Sequence, residues 1–211
     1  MLNLRDRIIE QSLILFDEYG FHGVTVKQIV EASKTSKGGF YHHFQSKDEL
    51  LYVIHDAFIT YVSKEAKRAD ETHRSPIDKI QEITRVFVRV FDLYKPHLSV
   101  FYQESKYLKP PYNEQIKQKR DEFKSLIFQV ITEGQRTGHF RKELPPGLTS
   151  MAILGMVNWM YKWYRRDGDY SIDEIADVFI DIILHSLLPP DESAVYYENQ
   201  MLHVPFFYDS K

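Results

Sequence analysis

Between Thr25 and Phe44 the chain places two short apolar-periodic segments almost back to back. Val26, Ile29 and Val30 share one side of a helix that Thr25 can cap, its side-chain oxygen taking an amide of the first turn. Ser33-Lys34-Thr35 breaks the pattern, and Ser36 can cap a second helix running to His43. Phe40 and Phe44, at i and i+4, should face inward, towards Phe16 and Ile29. Two short helices separated by so few residues have the spacing of a helix-turn-helix, whose second helix lies in the major groove of double-stranded DNA.

The rest of the sequence keeps the helical period. Leu4, Ile8, Leu15 and Tyr19, with Ile9, Leu13 and Phe16, mark a first helix that Gly20 should end. Ser46 followed by Glu49 is a capping box opening a fourth helix to about Ala69. Ser75-Pro76 starts another, which Pro96 stops. Further helices are expected from about Tyr112 to Gly138, over 148–166 and over 171–188, after which Pro189-Pro190 closes the run. No segment of strand period and useful length precedes the tail, and there is no internal repeat. The fold class is all-α, with about nine helices: a helix-turn-helix unit over 1–47, a larger helical bundle over 48–188, and an aromatic-rich tail over 189–211. The first unit is too small to be independent and should pack on the fourth helix.

Charge is unevenly spread. Residues 25–47 carry Lys27, Lys34, Lys37 and Lys47 against Glu31, a net +3, while residues 48–211 hold 21 basic and 25 acidic side chains, a net −4. A small basic patch on an acidic molecule fits a protein that meets a polyanion at one end. The chain has no cysteine, which removes disulfides, thiol nucleophiles and cysteine metal sites. "MLNLRDRIIEQSL" is neither a signal peptide nor a membrane span, so a cytoplasmic protein without a membrane partner is expected.

Within "SKGGFYHHF", Lys37 can neutralise a phosphate and Tyr41 can donate its hydroxyl to one; Lys47, just beyond, can also meet a phosphate. Gly38 and Gly39 cost roughly 1 kcal/mol each relative to alanine in a helix, understandable if the backbone must approach something bulky. His42 and His43 point about 100° apart on a helix and lack companion ligands, which argues against a metal site. Ser36 has neither a strained elbow nor an acid partner, which argues against a nucleophile.

The stretch "GFHGVTVKQIVEASKTSKGGFYHHFQSKDELL" resembles the DNA-binding segment of TetR-type transcriptional repressors. The resemblance covers the first fifty or so residues. It implies a ligand-responsive repressor with no catalytic activity and no cofactor, binding a palindromic operator as a homodimer and released by a small molecule held in the larger domain. Ser36, Lys37, Gly38, Gly39, Tyr41 and His42 would face the groove, with Thr35 beside them. Thr25, Tyr41, His43 and Lys47 would hold phosphates. Two departures stand out. Ser33-Lys34-Thr35 replaces the usual Ala-Gly-Val turn, so Lys34 should take a positive φ with some strain and add a phosphate contact. Gly39 replaces the usual threonine or serine, so one side-chain contact to DNA is lost.

In that family the later helices supply a pocket and a dimer interface. In 171–188, Ile175, Phe179, Ile182 and Ser186 form one stripe, and Ala176, Ile180, Ile183, Leu184 and Leu187 an adjacent one. So broad an apolar surface should be buried on two sides, one of them against a partner chain. The expected interface residues are Met151, Leu154, Gly155, Ile180, Ile183, Leu184 and Leu187. For the effector, Phe101 and Tyr102 supply aromatic surface, while Arg85, Arg89 and Asn158 interrupt apolar runs. "NWMYKWYRR" adds Trp159, Lys162, Trp163, Arg165 and Arg166. Cations at the mouth of an apolar pocket suit an acyl chain that carries phosphates or a carboxylate. This segment is also similar to the C-terminal domain of TetR-type regulators of fatty-acid and steroid degradation, which implies an acyl-CoA effector. A regulator answering to drugs or aromatic compounds is the alternative, and a helical lipid carrier or small enzyme is the alternative class. The five aromatics of "VYYENQMLHVPFFYD" lead to the expectation that the tail docks.

Overall fold

The computed structural model describes residues 3–190, and among these the regular structure is helical throughout. In chain order the helices are α1 (Leu4–Gly23), α2 (Val26–Ala32), α3 (Lys37–His43), α4 (Lys47–Thr72), α5 (Pro76–Leu93), α6 (Lys95–Glu104), a 3-10 turn (Ser105–Tyr107), α7 (Tyr112–Thr137), α8 (Pro146–Asn158), the single turn α9 (Met160–Trp163) and α10 (Ile172–Leu187). The all-α reading holds. The expected helix over 148–166 is broken at Trp159 into α8 and α9, and Gly20 bends α1 at φ +69° where the sequence reading ended it. The tail from 191 onward, where docking was expected, lies outside the described residues.

Local chemistry starts the helices where the polar residues fall. Thr25 accepts from the Gln28 amide while the Gln28 side chain reaches back to the Thr25 amide, a closed capping box. Ser36 accepts from Gly39 N at 3.0 Å, and Ser46 from Glu49 N at 3.0 Å. Ser171 and Glu174 make a second reciprocal box at the start of α10. Each such cap satisfies amides that the first helical turn leaves bare, contributing about 1 kcal/mol.

The chain divides into two compact units. One comprises residues up to Lys64 with Leu93–Phe123, and so takes in α6 as well as the first three helices. Its core joins Ile8 and Phe16 of α1, Ile29 of α2, Phe40 and Phe44 at α3, and Leu50, Leu51 and Ile54 of α4, all buried. The 3-10 turn after α6 brings Tyr107 to 4.2 Å from the His22 ring and 6.2 Å from Phe21, so α6 and α1 share a contact. The other unit comprises Glu65–Asp92 and residues from Lys124 on. Ile80, Ile83, Phe87, Val130, Ile131, Phe140, Ile153, Val157 and the inner side of α10 fill its core. Arg141 ties off α10: its amide donates to Leu187 O at 2.9 Å and its Nε to Ser186 O at 2.6 Å. Lys79, nearly buried, sits between Asp70 at 3.0 Å and Glu133 at 2.8 Å.

Candidate functional site

α2 ends in a turn that only a left-handed residue can make. Thr35 N donates to Val30 O at 3.0 Å and Lys34 N to Glu31 O at 3.1 Å, while Lys34 takes φ +49°. This is a helix C-terminal reversal usually given to glycine; a side chain there costs roughly 1 kcal/mol. The expected strain at Lys34 is present, and its side chain is exposed. Arg7 Nε donates to Ser33 O at 2.9 Å and pins the turn to α1.

The turn aims α3. Phe40 and Phe44 are buried and hold the helix to the core, which leaves Lys37, Gly38, Tyr41 and His42 exposed on the outer face. Lys37 and Tyr41 stand one turn apart, as do Gly38 and His42. Ser36 is exposed at the cap; His43 is half-buried, its ring 4.9 Å from His42. A Cβ at Gly39 would fall 2.3 Å from Thr35 Oγ1, so the Thr35 hydroxyl would have to rotate away to admit one. Thr35 thus fills the space that a residue at 39 would take. Thr25 is exposed, its hydroxyl engaged with Gln28. Among the described residues no cluster of His, Asp and Glu could hold a metal.

Lys47 is held by its own chain. Its ammonium donates to Phe21 O at 2.7 Å and to Val24 O at 2.6 Å, and lies 4.3 Å from the centre of the Phe21 ring. Two donors are committed to carbonyls at the C-terminal end of α1, where the helix macrodipole also favours a cation. Burial holds its pKa below the usual lysine value. Lys47 is a clamp between α1 and α4, turned inward, where a phosphate contact had been expected.

The arginines assigned to an effector each meet a carboxylate of their own chain. Arg85 Nη1 meets Asp177 at 2.7 Å and Arg89 Nε meets Asp173 at 2.7 Å, so both fasten α5 to α10. Arg165 pairs with Asp167 at 2.9 Å. Arg166 holds the Asp92 carboxylate at 2.7 Å and its carbonyl at 2.6 Å, and the Tyr164 hydroxyl donates to the same carboxylate at 2.7 Å. Burial, then Asp92, pushes Tyr164 up to about 12. Each guanidinium is matched by a carboxylate, which the intervals between charges along the sequence did not reveal. Lys162, Trp159 and Trp163 are exposed, and Asn158 is half-buried at the end of α8. Phe101 is buried in the first compact unit with Tyr102 beside it at 5.3 Å.

A residue missed from sequence lies against Phe101. His55 is completely buried, its ring 5.0 Å from the Phe101 ring and its Nδ1 2.9 Å from Leu51 O. Burial pushes its pKa down to about 4. The available signal was a histidine inside the apolar run "LLYVIHDAFI".

The residues assigned to the interface fall into two groups. Ile180, Ile183, Leu184 and Leu187 are buried within their own chain, so they are not offered to a partner. The apolar surface that α10 does expose centres on Ile182, 50% exposed. On α8 it is Leu148, Met151, Gly155 and Trp159, at helical spacing along one face, with Leu154 half-buried beside them. A Cβ at Gly155 would meet nothing within 4 Å.

Residues 8–53 match the family described as bacterial regulatory proteins, tetR family, and residues 73–187 match the tetracyclin repressor-like C-terminal domain. The HTH-type transcriptional repressor KstR2 of Mycolicibacterium smegmatis is 21% identical over 181 residues, spanning 85% of this chain and 88% of the relative. The structure of the ketosteroid transcriptional regulator KstR2 of Mycobacterium tuberculosis superposes with a TM-score of 0.82 at 19% identity, over 90% of this chain and 97% of the other. AibR in complex with isovaleryl coenzyme A and operator DNA superposes with a TM-score of 0.74 at 21% identity, over 85% and 97%.

Proposed function

The chain belongs to the TetR family of bacterial regulatory proteins, and we propose from that premise that it binds a palindromic operator as a homodimer and leaves it when an acyl-CoA thioester binds. It is a ligand-responsive transcriptional repressor of the TetR type and not an enzyme. A place of work in the cytoplasm, where the DNA is, goes with this reading. Among the described residues no helix is long and apolar enough to cross a membrane.

The observation that carries the DNA-binding half is the outer face of α3. Lys37, Gly38, Tyr41 and His42 are exposed over a buried Phe40–Phe44 anchor, beside a turn pinned by Arg7. In this reading residues 1–47 form the reading head. Lys37 or His42 reaches a base edge, Tyr41 and Lys34 meet phosphates, and Thr25, Ser36 and His43 flank them. Gly38 and Gly39 let the groove wall come close. The exposed apolar face of α8 with Ile182 of α10 supports pairing of two copies, whose heads would then meet half-sites about 34 Å apart. An acyl thioester is supported by the likeness to AibR, seen with isovaleryl coenzyme A. The arginines of α5 and of the segment after α9 give no such support, being engaged by carboxylates.

The test begins with duplexes selected from a random pool by the purified protein. Fluorescence anisotropy with the selected operator should show binding that weakens steeply with salt. Lys37→Ala should cost about 1–3 kcal/mol and relax the preference at one position. A panel of acyl-CoA thioesters should release the operator. Release by a neutral aromatic compound and by no thioester would transfer the effector to the drug-responsive class. Retention of no duplex at low salt would remove the regulator reading itself.

A further inference from the structure

The start of α1 lies along the whole of α3, and three contacts fix that arrangement. Just before α3, Arg7 Nε donates to Ser33 O at 2.9 Å. At its middle, a Cβ on Gly39 would lie 3.5 Å from Leu4 Cδ2. At its end, the Arg5 guanidinium stands 5.6 Å from the centre of the Phe44 ring. Two arginines are thereby set at the two ends of the reading helix by a segment that belongs to neither helix of the motif. Both side chains are exposed.

Their charges are not answered within the chain. Arg85, Arg89, Arg165 and Arg166 each meet a carboxylate, whereas among the described residues Arg5 and Arg7 meet none. The Ser33 carbonyl and the Phe44 ring position the two side chains without neutralising them, because neither carries a net charge. Arg7 commits only its Nε donor to Ser33, which leaves the four N–H groups of its terminal nitrogens. Helix electrostatics does not account for the placement either. The N-terminus of a helix favours acids, yet α1 has Arg5 and Arg7 within its first four residues and Glu10, Asp17 and Glu18 further on. Arg7 also brings a second cation to a turn that already holds Lys34, while Glu31, the acid nearest in sequence, lies 3.8 Å from Lys27. Like charges gathered in this way repel one another until an anion joins them.

We propose that Arg5 and Arg7 hold backbone phosphates of the operator strand that borders α3 on the side of α1. Arg7 is then both a phosphate contact and the residue that positions the turn, and α1 is part of the DNA-binding surface. The proposal rests on the reading of the chain as an operator-binding repressor. A helix in the major groove has a row of phosphates on either side, and residues beside it, rather than on its outer face, meet that row. The planar guanidinium can take two oxygens of one phosphate, which fixes register as well as affinity. These contacts carry no base information. They add two charges to a footprint that the sequence placed within residues 25–47.

The experiment takes the full-length protein, the selected operator and an unrelated duplex of the same length. Arg5→Gln, Arg7→Gln and the double variant remove charge, while glutamine keeps an N–H that can serve Ser33 O. Arg136→Gln, in the last turn of α7, is the reference for a charge lost outside the reading head. Anisotropy is read between about 50 and 200 mM salt. Each single variant should lower the slope of log K against log salt by about 0.9, and the double variant by about 1.8. Each should bind both duplexes about tenfold more weakly, with the ratio between the duplexes kept. Arg136→Gln should match the wild type. A scan that replaces operator phosphates one at a time by neutral methylphosphonate should find a position that weakens the wild type and leaves the matching glutamine variant unaffected. Unchanged slopes overturn the proposal, as does an equal fall in slope with Arg136→Gln. So does an Arg7→Gln variant that loses its preference for the operator at an unchanged slope, which makes Arg7 a prop for the turn alone. Urea midpoints check that the variants fold, and Arg5→Gln, which disturbs a ring contact, decides where Arg7→Gln does not. A wild type that retains no duplex at low salt removes the repressor reading and this proposal with it. Tight, selective binding with wild-type slopes in every variant removes the proposal alone.

Discussion

Gly134→Ala should be destabilising, against the ordinary rule for a helix. Gly134 lies within α7, where alanine normally gains about 1 kcal/mol over glycine. Here an ideal Cβ would fall 2.0 Å from Phe140 Cδ2, 2.4 Å from Cε2 and 2.7 Å from Cγ. Carbon atoms in contact need roughly 3.5–4.0 Å, so the ring must move by about 1.5 Å or more. It has little room to do so. Phe140 is buried, its amide donates to Gly134 O at 3.0 Å, and the next residue is held to the end of α10 by the Arg141 bonds. The reversal that returns the chain uses Gly138 at φ +84°. Overpacking costs about 1–3 kcal/mol and outright loss of a buried phenylalanine about 3–5 kcal/mol. Set against the helix gain of about 1 kcal/mol, the net loss is about 0–2 kcal/mol if the site only overpacks and about 2–4 kcal/mol if the ring is driven out. Urea unfolding at fixed protein concentration measures it as a lower midpoint at unchanged slope. A double-mutant cycle supplies the sharper check: in a Phe140→Ala background the same Gly134→Ala change should turn stabilising, by about 1 kcal/mol. A gain of stability in Gly134→Ala, or the same sign in both backgrounds, would refute the argument.

Lys47→Ala should lower stability by about 1.5–3 kcal/mol through loss of its charge-assisted bonds to Phe21 O and Val24 O, and should leave the salt slope of operator binding unchanged; a slope reduced by about 1 would return Lys47 to the phosphates. His55 makes stability depend on pH, because the unfolded chain takes a proton near 6.5 and the folded ring only near 4. Its contribution is therefore full above about pH 6.5 and is lost as pH falls towards 4, by up to about 3 kcal/mol, with buried His97 acting in the same direction; urea midpoints at pH 7.5 and 5.0 that coincide would contradict this. Ile182→Glu and Met151→Glu should yield folded monomers by sedimentation, whereas Leu184→Glu should unfold the chain; a folded monomer from Leu184→Glu would restore the original interface assignment.

The periodic apolar residues, the caps at Thr25, Ser36 and Ser46, the left-handed Lys34 and the inward Phe40–Phe44 pair were all legible in the sequence. Each depends on hydrogen bonds or side-chain contacts reaching no more than about five residues, and such interactions form from the same residues wherever the segment sits. The resemblance at residues 20–51 was legible for the same reason, since a reading head is a local motif. The tertiary structure decided the rest. Arg85 finds Asp177 across 92 positions and Arg89 finds Asp173 across 84, so no local pattern could show that these cations were already engaged. Lys47 reaches 26 positions back to Phe21 O, and only the packing of α4 on α1 turns it inward. On α10 two apolar stripes looked alike in the sequence, and which of them faced the core depended on the neighbours that packing supplied. His55 gained its surroundings only when Phe101 was brought against it, because the environment of a buried residue is made by chain segments distant in sequence.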